Sequence, residues 1–422
     1  MSEVDFISLV DSGIEILDGD RGKNYPAKSD LEKQGDCVFL NTGNVKINGF
    51  DFSDVDFISF EKDSSLRNGK LLRDDVVMTT RGTVGNIAYY SKDILFNHIR
   101  INSGMVIIRV NQENWIPYFI YLFLQSDLFK KQTQKLISGS AQPQLPISLL
   151  ETIRIPKYSK KQQEFIVNQI QVIDHKIALN NQINEELEAM AKTLYDYWFV
   201  QFDFPDENGN PYKSSGGKMV YNDQLKREIP EGWGVKRLGD LSTYVTDKIS
   251  SDVLNSKNYI GTDNMLSNMK GIEQATYLPN STLVNSYIPN DILIANIRPY
   301  FKKIWISDRT GGCSSDVLCL RANDKEICNY LFYSLARDDF FNYNVAGSKG
   351  SKMPRGDKAH IQKYSVLFSE KHALKFSKLV SNFISQKHLI YKQNQELTQL
   401  RDWLLPMLMN GQVKVEDKIW KL

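Results

Sequence analysis

Residues 166–198 read IVNQIQVIDHKIALNNQINEELEAMAKTLYDYW, and residues 376–404 read FSKLVSNFISQKHLIYKQNQELTQLRDWL. In the first stretch Ile166, Ile170, Ile173 and Ile177 step by 4, 3 and 4, and the stripe continues through Asn180, Asn184, Leu187, Ala191, Leu194 and Trp198. In the second, Phe376, Val380, Phe383, Lys387, Ile390, Asn394, Leu397, Arg401 and Leu404 keep the same beat. This is the a/d heptad pattern, which lines one narrow face of a helix. Each run of about 40 residues makes a helix roughly 60 Å long at 1.5 Å per residue. Neither seam can stay dry alone, so the two helices are expected to pack on each other. Asn184 and Asn394 take equivalent seam positions, 210 residues apart. A polar residue there costs stability but fixes register; the open alternative is that both asparagines are exposed where the helix drifts out of the seam.

The helices are the back of a duplicated unit of about 210 residues, too large and too few in copies for a solenoid. Gly139-Ser140 recurs as Gly347-Ser348, Pro146 as Pro354 and Ile153 as Ile361, at a spacing of 208. Ile120-Tyr121-Leu122 with Asp127 and Phe129 matches Leu331-Phe332-Tyr333 with Asp338 and Phe340, at 211. Asp75-Val76-Val77 matches Asp291-Ile292-Leu293 at 216, and Glu186-Leu187 matches Glu396-Leu397 at 210. The spacing drifts in the front of each copy, where surface loops tolerate insertions, and is nearly constant at the back.

The front of each copy reads as strands and loops: a turn and β-branched run over Leu71–Thr80, a strand over Ser103–Val110, and counterparts at Asp291–Ile297 and Asp316–Leu320, bounded by Gly and polar residues. A short helix follows in each, over Pro117–Phe129 and Ile327–Phe341. Between the copies, Asp203–Arg227 is rich in Pro, Gly, Asn, Ser and charge, and reads as a linker or surface excursion. The second copy then opens on Ile229-Pro230-Glu231-Gly232-Trp233, a turn with an aromatic anchor.

Composition bounds the function. The chain has 422 residues and a net charge of only +2, far from the balance of a stand-alone non-specific DNA binder. Any nucleic-acid role must therefore come from local patches or from partners. The four cysteines, Cys37, Cys313, Cys319 and Cys328, form no C-x-x-C pair and are expected to be reduced thiols of a cytoplasmic protein. The N-terminus lacks the pattern of a signal peptide, and no apolar run reaches membrane-spanning length. There is no G-x-x-x-x-G-K-[ST], H-E-x-x-H or G-x-S-x-G motif. Arg298-Pro299-Tyr300 only superficially matches the Asn/Asp-Pro-Pro-Tyr tetrapeptide of a methyltransferase, and the five histidines are scattered. No catalytic residue, metal site or cofactor site is expected in the chain.

The order of these motifs resembles the specificity subunits of Type I restriction–modification systems, over nearly the whole length. The residues that carry the likeness are Ile229–Trp233 with Leu238-Gly239-Asp240-Leu241, and Thr80-Arg81-Gly82-Thr83-Val84-Gly85 with Ile297-Arg298-Pro299-Tyr300 in the matching place. To these is added the Gly139–Pro146 loop leading into Ile153–Pro156, with its copy Gly347–Pro354. The first copy departs by lacking a Pro-Glu-Gly-Trp opening; Asp18–Pro26 is its candidate early DNA-facing loop.

The resemblance implies an α/β (α+β) chain with two tandem target recognition domains, each followed by a long helix, the helices packing antiparallel as a coiled-coil spacer. The expected segments are a recognition domain at 1–157, a helix at 158–202, a linker at 203–228, a second recognition domain at 229–367, and a helix with its tail at 368–422. Each recognition domain would read one half of a split, asymmetric site on double-stranded DNA. The helices would dock two methyltransferase subunits and, through them, restriction subunits. S-adenosylmethionine, ATP and Mg are then expected on those partners. The alternatives are a protein scaffold without catalysis, or a methyltransferase or nuclease with built-in recognition domains.

Base edges are read by Arg and Lys at guanine and by Asn and Gln at adenine, from loops that vary without disturbing a scaffold. In the first copy the candidates are Arg21, Lys23 and Asn24, Arg81 with Thr83, and Ser140, Gln142 and Gln144. In the second they are Arg298, Tyr300, Lys302 and Lys303, and the loop carrying Ser348, Lys349, Ser351, Lys352 and Arg355.

Overall fold

The computed structural model describes residues 4–47, 49–137, 143–350 and 352–412. The chain divides into two compact units, 1–179 with 394–422, and 180–393. Both divisions fall within the long helices, Lys160–Tyr195 and Glu370–Met409, so each unit contains part of each helix.

The first unit is organised by a four-stranded antiparallel sheet in the order Glu15–Asp18, Met105–Arg109, Val76–Thr79, Ile87–Tyr89. Val76 to Thr79 are all buried because both faces of the sheet are covered. Helix Pro117–Gln125 supplies Phe119, Ile120 and Phe123 to one face. A three-stranded layer, Asp56–Ile58, Cys37–Leu40 and Ile99–Ile101, covers the other with Val38, Leu40 and Ile99. Strands Phe6–Ser8 and Arg154–Pro156 pair just before the long helix begins.

The second unit repeats this order with Ser242–Tyr244, Val317–Ala322, Ile292–Ala295 and Ile304–Ile306, and repeats the closing pair as Gly234–Arg237 with Ser365–Phe368. Helix Cys328–Leu335 takes the place of Pro117–Gln125. Its additional sheet is different, with four strands in the order Lys248–Ser250, Leu283–Tyr287, Gly311–Cys313, Tyr259–Ile260.

The same buried device sits beneath both sheets. Asp75 accepts from Leu72 N (2.7 Å) and takes two hydrogen bonds from Arg109, at 2.8 and 2.7 Å. Asp291 accepts from Ile288 N (2.8 Å) and takes two from Arg321, both at 2.8 Å. Each carboxylate is bidentate to an arginine and also closes a turn, which satisfies a buried charge.

The structure corrects one alignment of the repeat. Pro146 does not correspond to Pro354, nor Ile153 to Ile361. Gly82 N donates to Pro143 O (3.2 Å) as Arg298 N donates to Pro354 O (2.8 Å), and Leu9 N donates to Ile153 O as Leu238 N donates to Tyr364 O, both at 2.8 Å. Pro143 therefore matches Pro354, and Ile153 matches Tyr364, both 211 residues apart. A shared proline letter misled the comparison; backbone hydrogen bonds identify the equivalent positions.

The heptad stripes seat as the spacing predicts. In the first unit Ile166 and Ile170 share a core with Leu404, Leu405 and Leu408, Arg401 pairs with Asp174 at 3.2 Å, and the Tyr158 hydroxyl donates to Leu408 O and Met409 O. In the second, Ala191, Leu194 and Trp198 pack with Phe376, Val380 and Phe383, while Glu188 meets Lys387 at 2.8 Å. Within each unit, numbers rise along one helix as they fall along its partner, so the pair is antiparallel. Each buried Ile, Leu or Phe contributes roughly 1.5–3 kcal/mol. The fully buried seam amide is Asn180, which donates to Gln393 Oε1 at 2.9 Å. Asn184 is half-buried, its Oδ1 without a hydrogen-bond partner among the described residues, and Asn394 is half-buried.

Residues 203–228, expected as linker, carry a hairpin of Met219–Asn222 with Arg227–Pro230. Phe202, just before this segment, and Phe204, within it, are buried against Trp233, with ring centroids 5.9 and 4.9 Å away. The aromatic anchors pull an otherwise polar stretch into the second unit. Tyr195, Trp198 and Phe199, at the end of the first long helix, pack on Phe376 in the same core.

Candidate nucleic-acid interface

The four-stranded sheet of the first unit ends in loops at one edge of its strands. Strand Glu15–Asp18 runs out into the Asp20–Asn24 loop, strand Met105–Arg109 is entered from the turn at Asn102–Gly104, and strand Val76–Thr79 runs out into Thr80–Gly85. Because neighbouring strands are antiparallel, these three connections lie at the same end of the sheet. Backbone hydrogen bonds join them: Thr80 N and Arg81 N donate to Gly104 O at 2.9 and 3.3 Å, and the Arg21 guanidinium reaches Ser103 O at 3.4 Å. The Gln144 loop is stitched on by Gly82 N to Pro143 O and by Leu145 N to Thr80 O (3.0 Å), which makes a bridge between Arg81 and Gln144.

The second unit builds the same end in the same way. Asn296 N donates to Asp316 O at 2.8 Å, Arg298 N to Pro354 O, and Gly356 N to Asn296 O at 3.0 Å, with a bridge between Ile297 and Arg355. Lys349 and Arg355 exchange two backbone hydrogen bonds of 2.9 Å, closing their loop into a tight ribbon. The two motif loops singled out in each copy, far apart in sequence, are thus joined by backbone hydrogen bonds in each unit.

Arg21, Lys23, Asn24, Thr83 and Gln144 are exposed and Arg81 is half-buried, all at this end of the first unit. Arg21 pairs with Asp18 at 3.0 Å and Asn24 Nδ2 donates to Ser65 O at 3.1 Å. Ser140, Gln142 and Ser351 lie outside the described residues. In the second unit Tyr300, Lys349, Lys352 and Arg355 are exposed. Lys302 pairs with Asp338, Lys349 with Asp357 and Arg355 with Asp316, at 2.7, 2.7 and 3.0 Å. The Lys349 ammonium, with the amides of His360 and Ala359, pulls the Asp357 carboxyl down to about 2. Lys303 turns inward, its Nζ donating to Thr262 O at 2.6 Å with burial lowering its pKa, and Ser348 Oγ donates locally to Val345 O at 2.7 Å.

Gly82 and Arg298 occupy equivalent backbone positions and share the left-handed conformation, with φ of 73° and 51°. Glycine adopts it freely; an arginine does so at a cost of about 1–2 kcal/mol. Arg298 Nε is buried without a hydrogen-bond partner among the described residues. Gly347 is a helix cap as its sequence allows, and it also lets the His360 ring lie against the backbone where a Cβ would collide.

Sequence reading missed Arg67 and Asn68, which are exposed next to the Arg21–Asn24 loop. Their one signal is the Asn68-Gly69 pair, a turn whose Gly69 has φ 87°. The four cysteines are buried, and burial pushes the thiols of Cys37 and Cys313 up to about 12 and that of Cys328 to about 11. Among the described residues no group of three or more His, Cys, Asp or Glu is placed to hold a metal ion, and no helix is long and apolar enough to cross a membrane.

A family model described as the Type I restriction modification DNA specificity domain matches residues 14–189. The Type I restriction enzyme MjaIX specificity subunit of Methanocaldococcus jannaschii is 26% identical, over 81% of this chain and 78% of its own length. The HindI specificity subunit of Haemophilus influenzae is 22% identical, over 94% of this chain and 98% of its own. Among solved structures, a Type-I restriction-modification system S subunit from M. genitalium superposes with a TM-score of 0.52 at 15% identity, covering 97% of each chain, which speaks for the fold.

Proposed function

We infer that this chain is a specificity subunit of the Type I restriction–modification family and that it serves DNA-sequence recognition. One observation carries the reading beyond the likeness. Both units end the same sheet in the same stitched pair of loops, yet fill those loops with different side chains. A constant frame with variable tips is what reading two unlike sequences requires, because phosphate contacts can be shared while base contacts must differ.

In this reading each unit takes one half of a split site on double-stranded DNA, with residues 1–157 and 229–367 as the reading bodies. The first unit offers Gln144, Asn24 and Arg81 to base edges. The second offers Arg298, Tyr300 and Arg355, with Lys349 and Lys352 neutralising phosphates. The long helices Lys160–Tyr195 and Glu370–Met409 serve as spacer and docking surface. Their outward apolar residues support this: Val172, Leu179, Leu400 and Trp403 in the first unit, and Met190, Leu389 and Tyr391 in the second, are all exposed. Two methyltransferase subunits dock there, and restriction subunits join through them. S-adenosylmethionine, ATP and Mg reside on those partners, this chain carries no catalysis, and the assembly works in the cytoplasm.

The test is long-read sequencing that reports methylated bases, in the source cell with and without this gene. Loss of one split motif with a constant gap is the expected result. Retention of every motif, with the methyltransferase gene expressed, overturns the reading.

A further inference from the structure

The first unit has a second exposed element at its loop end. Asp20 is buried, two residues beyond the end of strand Glu15–Asp18, and its carboxylate accepts from three backbone amides: Gly22 N at 2.6 Å, Arg67 N at 2.7 Å and Asn68 N at 3.4 Å. The Gly22 amide above all holds this carboxyl below the usual carboxylate range, with Arg67 and Asn68 adding to it. The clamp ties the Arg21–Asn24 loop to a segment more than forty residues away.

Below the clamp, the buried guanidinium of Arg100 fastens the same segment from beneath. It donates to Asp63 Oδ1 at 2.5 Å and to the carbonyls of Asn68, Asp63 and Leu66 at 2.7, 2.9 and 3.2 Å. Lys70 adds an ion pair to Asp63 at 2.6 Å. Gly69 takes φ 87°, and a side chain there would press on Ile101 O at 3.2 Å and Gly19 Cα at 3.3 Å. Charged hydrogen bonds, a glycine turn and close backbone contact thus leave the 66–69 backbone one conformation.

What this frame presents is Arg67 and Asn68, both exposed, whose side chains make no hydrogen bond or ion pair among the described residues. A structural turn has no need of such anchoring for two exposed side chains that take no part in holding it. A reading head does, because a pre-ordered backbone lowers the entropy lost on contact and sets side-chain height to within the tolerance of base recognition.

We propose that Arg67 and Asn68 are base-reading residues of the first unit, with Asp20 as the residue that positions them. The ligand class is double-stranded DNA read from the major groove: the fork of Arg67 suits guanine O6 and N7, and the amide of Asn68 suits adenine N6 and N7. This rests on the reading of each unit as a half-site reader, and it adds a third loop to the two stitched ones.

The experiment is methylation mapping by long-read sequencing in cells that carry the whole complex, with this chain as wild type, Arg67→Ala, Asn68→Ala, Asp20→Ala or Arg355→Ala. Arg67→Ala and Asn68→Ala are each expected to relax one position of one half-site by 10- to 100-fold and to leave the other half unchanged. Asp20→Ala is expected to relax those same two positions, whereas a purely structural role would lower methylation evenly without changing the motif. Even loss of methylation from Arg67→Ala and Asn68→Ala, with an intact motif, would make them phosphate contacts and overturn the assignment. If Arg355→Ala relaxes the opposite half while the Arg67 and Asn68 variants change nothing, this inference alone fails. If Arg355→Ala also leaves the motif intact, the half-site reading fails with it.

Discussion

The two loop ends are built alike and equipped differently. In the first unit Gln144, Asn68, Lys23 and Arg67 are exposed and make no ion pair among the described residues, and Arg21 pairs with Asp18. In the second, three of the cations are held by carboxylates, Lys302 by Asp338, Lys349 by Asp357 and Arg355 by Asp316. Where the first unit turns its loop on Gly82, the second turns on Arg298 in the same left-handed conformation. The first unit therefore presents hydrogen-bonding groups on an unstrained turn, while the second accepts backbone strain in order to place a guanidinium. Frame and tip are separate layers: Asp75 with Arg109 and Asp291 with Arg321 recur beneath both sheets while the tips diverge.

The comparison can be broken first at that frame. Asp75→Ala and Asp291→Ala each strand a partly buried arginine and should each cost about 3 kcal/mol in denaturant unfolding. Unequal costs, one of them below about 1 kcal/mol, would show that the two devices are not equivalent. Next come the readers. Gln144→Ala and Arg355→Ala should each weaken discrimination at one base by about 2 kcal/mol, in opposite half-sites, as measured by methylation of substrates altered at single positions.

The starts of the long helices offer a third contrast. Gln162 caps Ser159 in the first unit, through Oε1 at 2.9 Å, and His372 meets Ser369 Oγ at 2.8 Å in the second. Burial between Phe204 and Trp233, with Lys371 and Lys375 nearby, pushes His372 down to about 4. The unfolded chain binds that proton more readily, so stability is full above pH 6.5, falls as pH drops toward 4, and is level below. The loss, discounted for partial exposure, is about 2 kcal/mol. His372→Gln, copying the first unit, should flatten the unfolding profile across this window; an unchanged slope would assign the pH dependence elsewhere.

The smallest effect expected is at the turn itself. Arg298→Gly should stabilise the second unit by about 1 kcal/mol in thermal unfolding while weakening its half-site. Gly82→Ala should destabilise the first by a similar amount. Stabilisation by Arg298→Gly with full recognition would mean that the strain serves no contact.

Much of the frame was legible because it is periodic. The 4-3 stripe from Ile166 to Trp198 and its partner from Phe376 to Leu404 announce two paired helices, and the Val76 and Ile292 runs announce strands. Gly82, Gln144, Arg298 and Arg355 stood out because motif loops recur in order. Arg67 and Asn68 did not, since a turn before a strand has no signature of what its side chains face. The Pro146–Pro354 match failed for the same reason: a proline marks a turn, not a partner.

What the sequence determined by itself is the duplication, the helical seams and the placement of variable loops, all consequences of local spacing and of which residues water excludes. What only the tertiary structure decided is which loops meet. The stitch from Gly82 to Pro143 and its twin from Arg298 to Pro354 are hydrogen bonds between backbone groups distant in sequence, and the clamp joins the Asp20 carboxylate to the distant backbone amides of Arg67 and Asn68. Every non-proline residue carries the same amide and the same carbonyl, so the letters do not say which will pair.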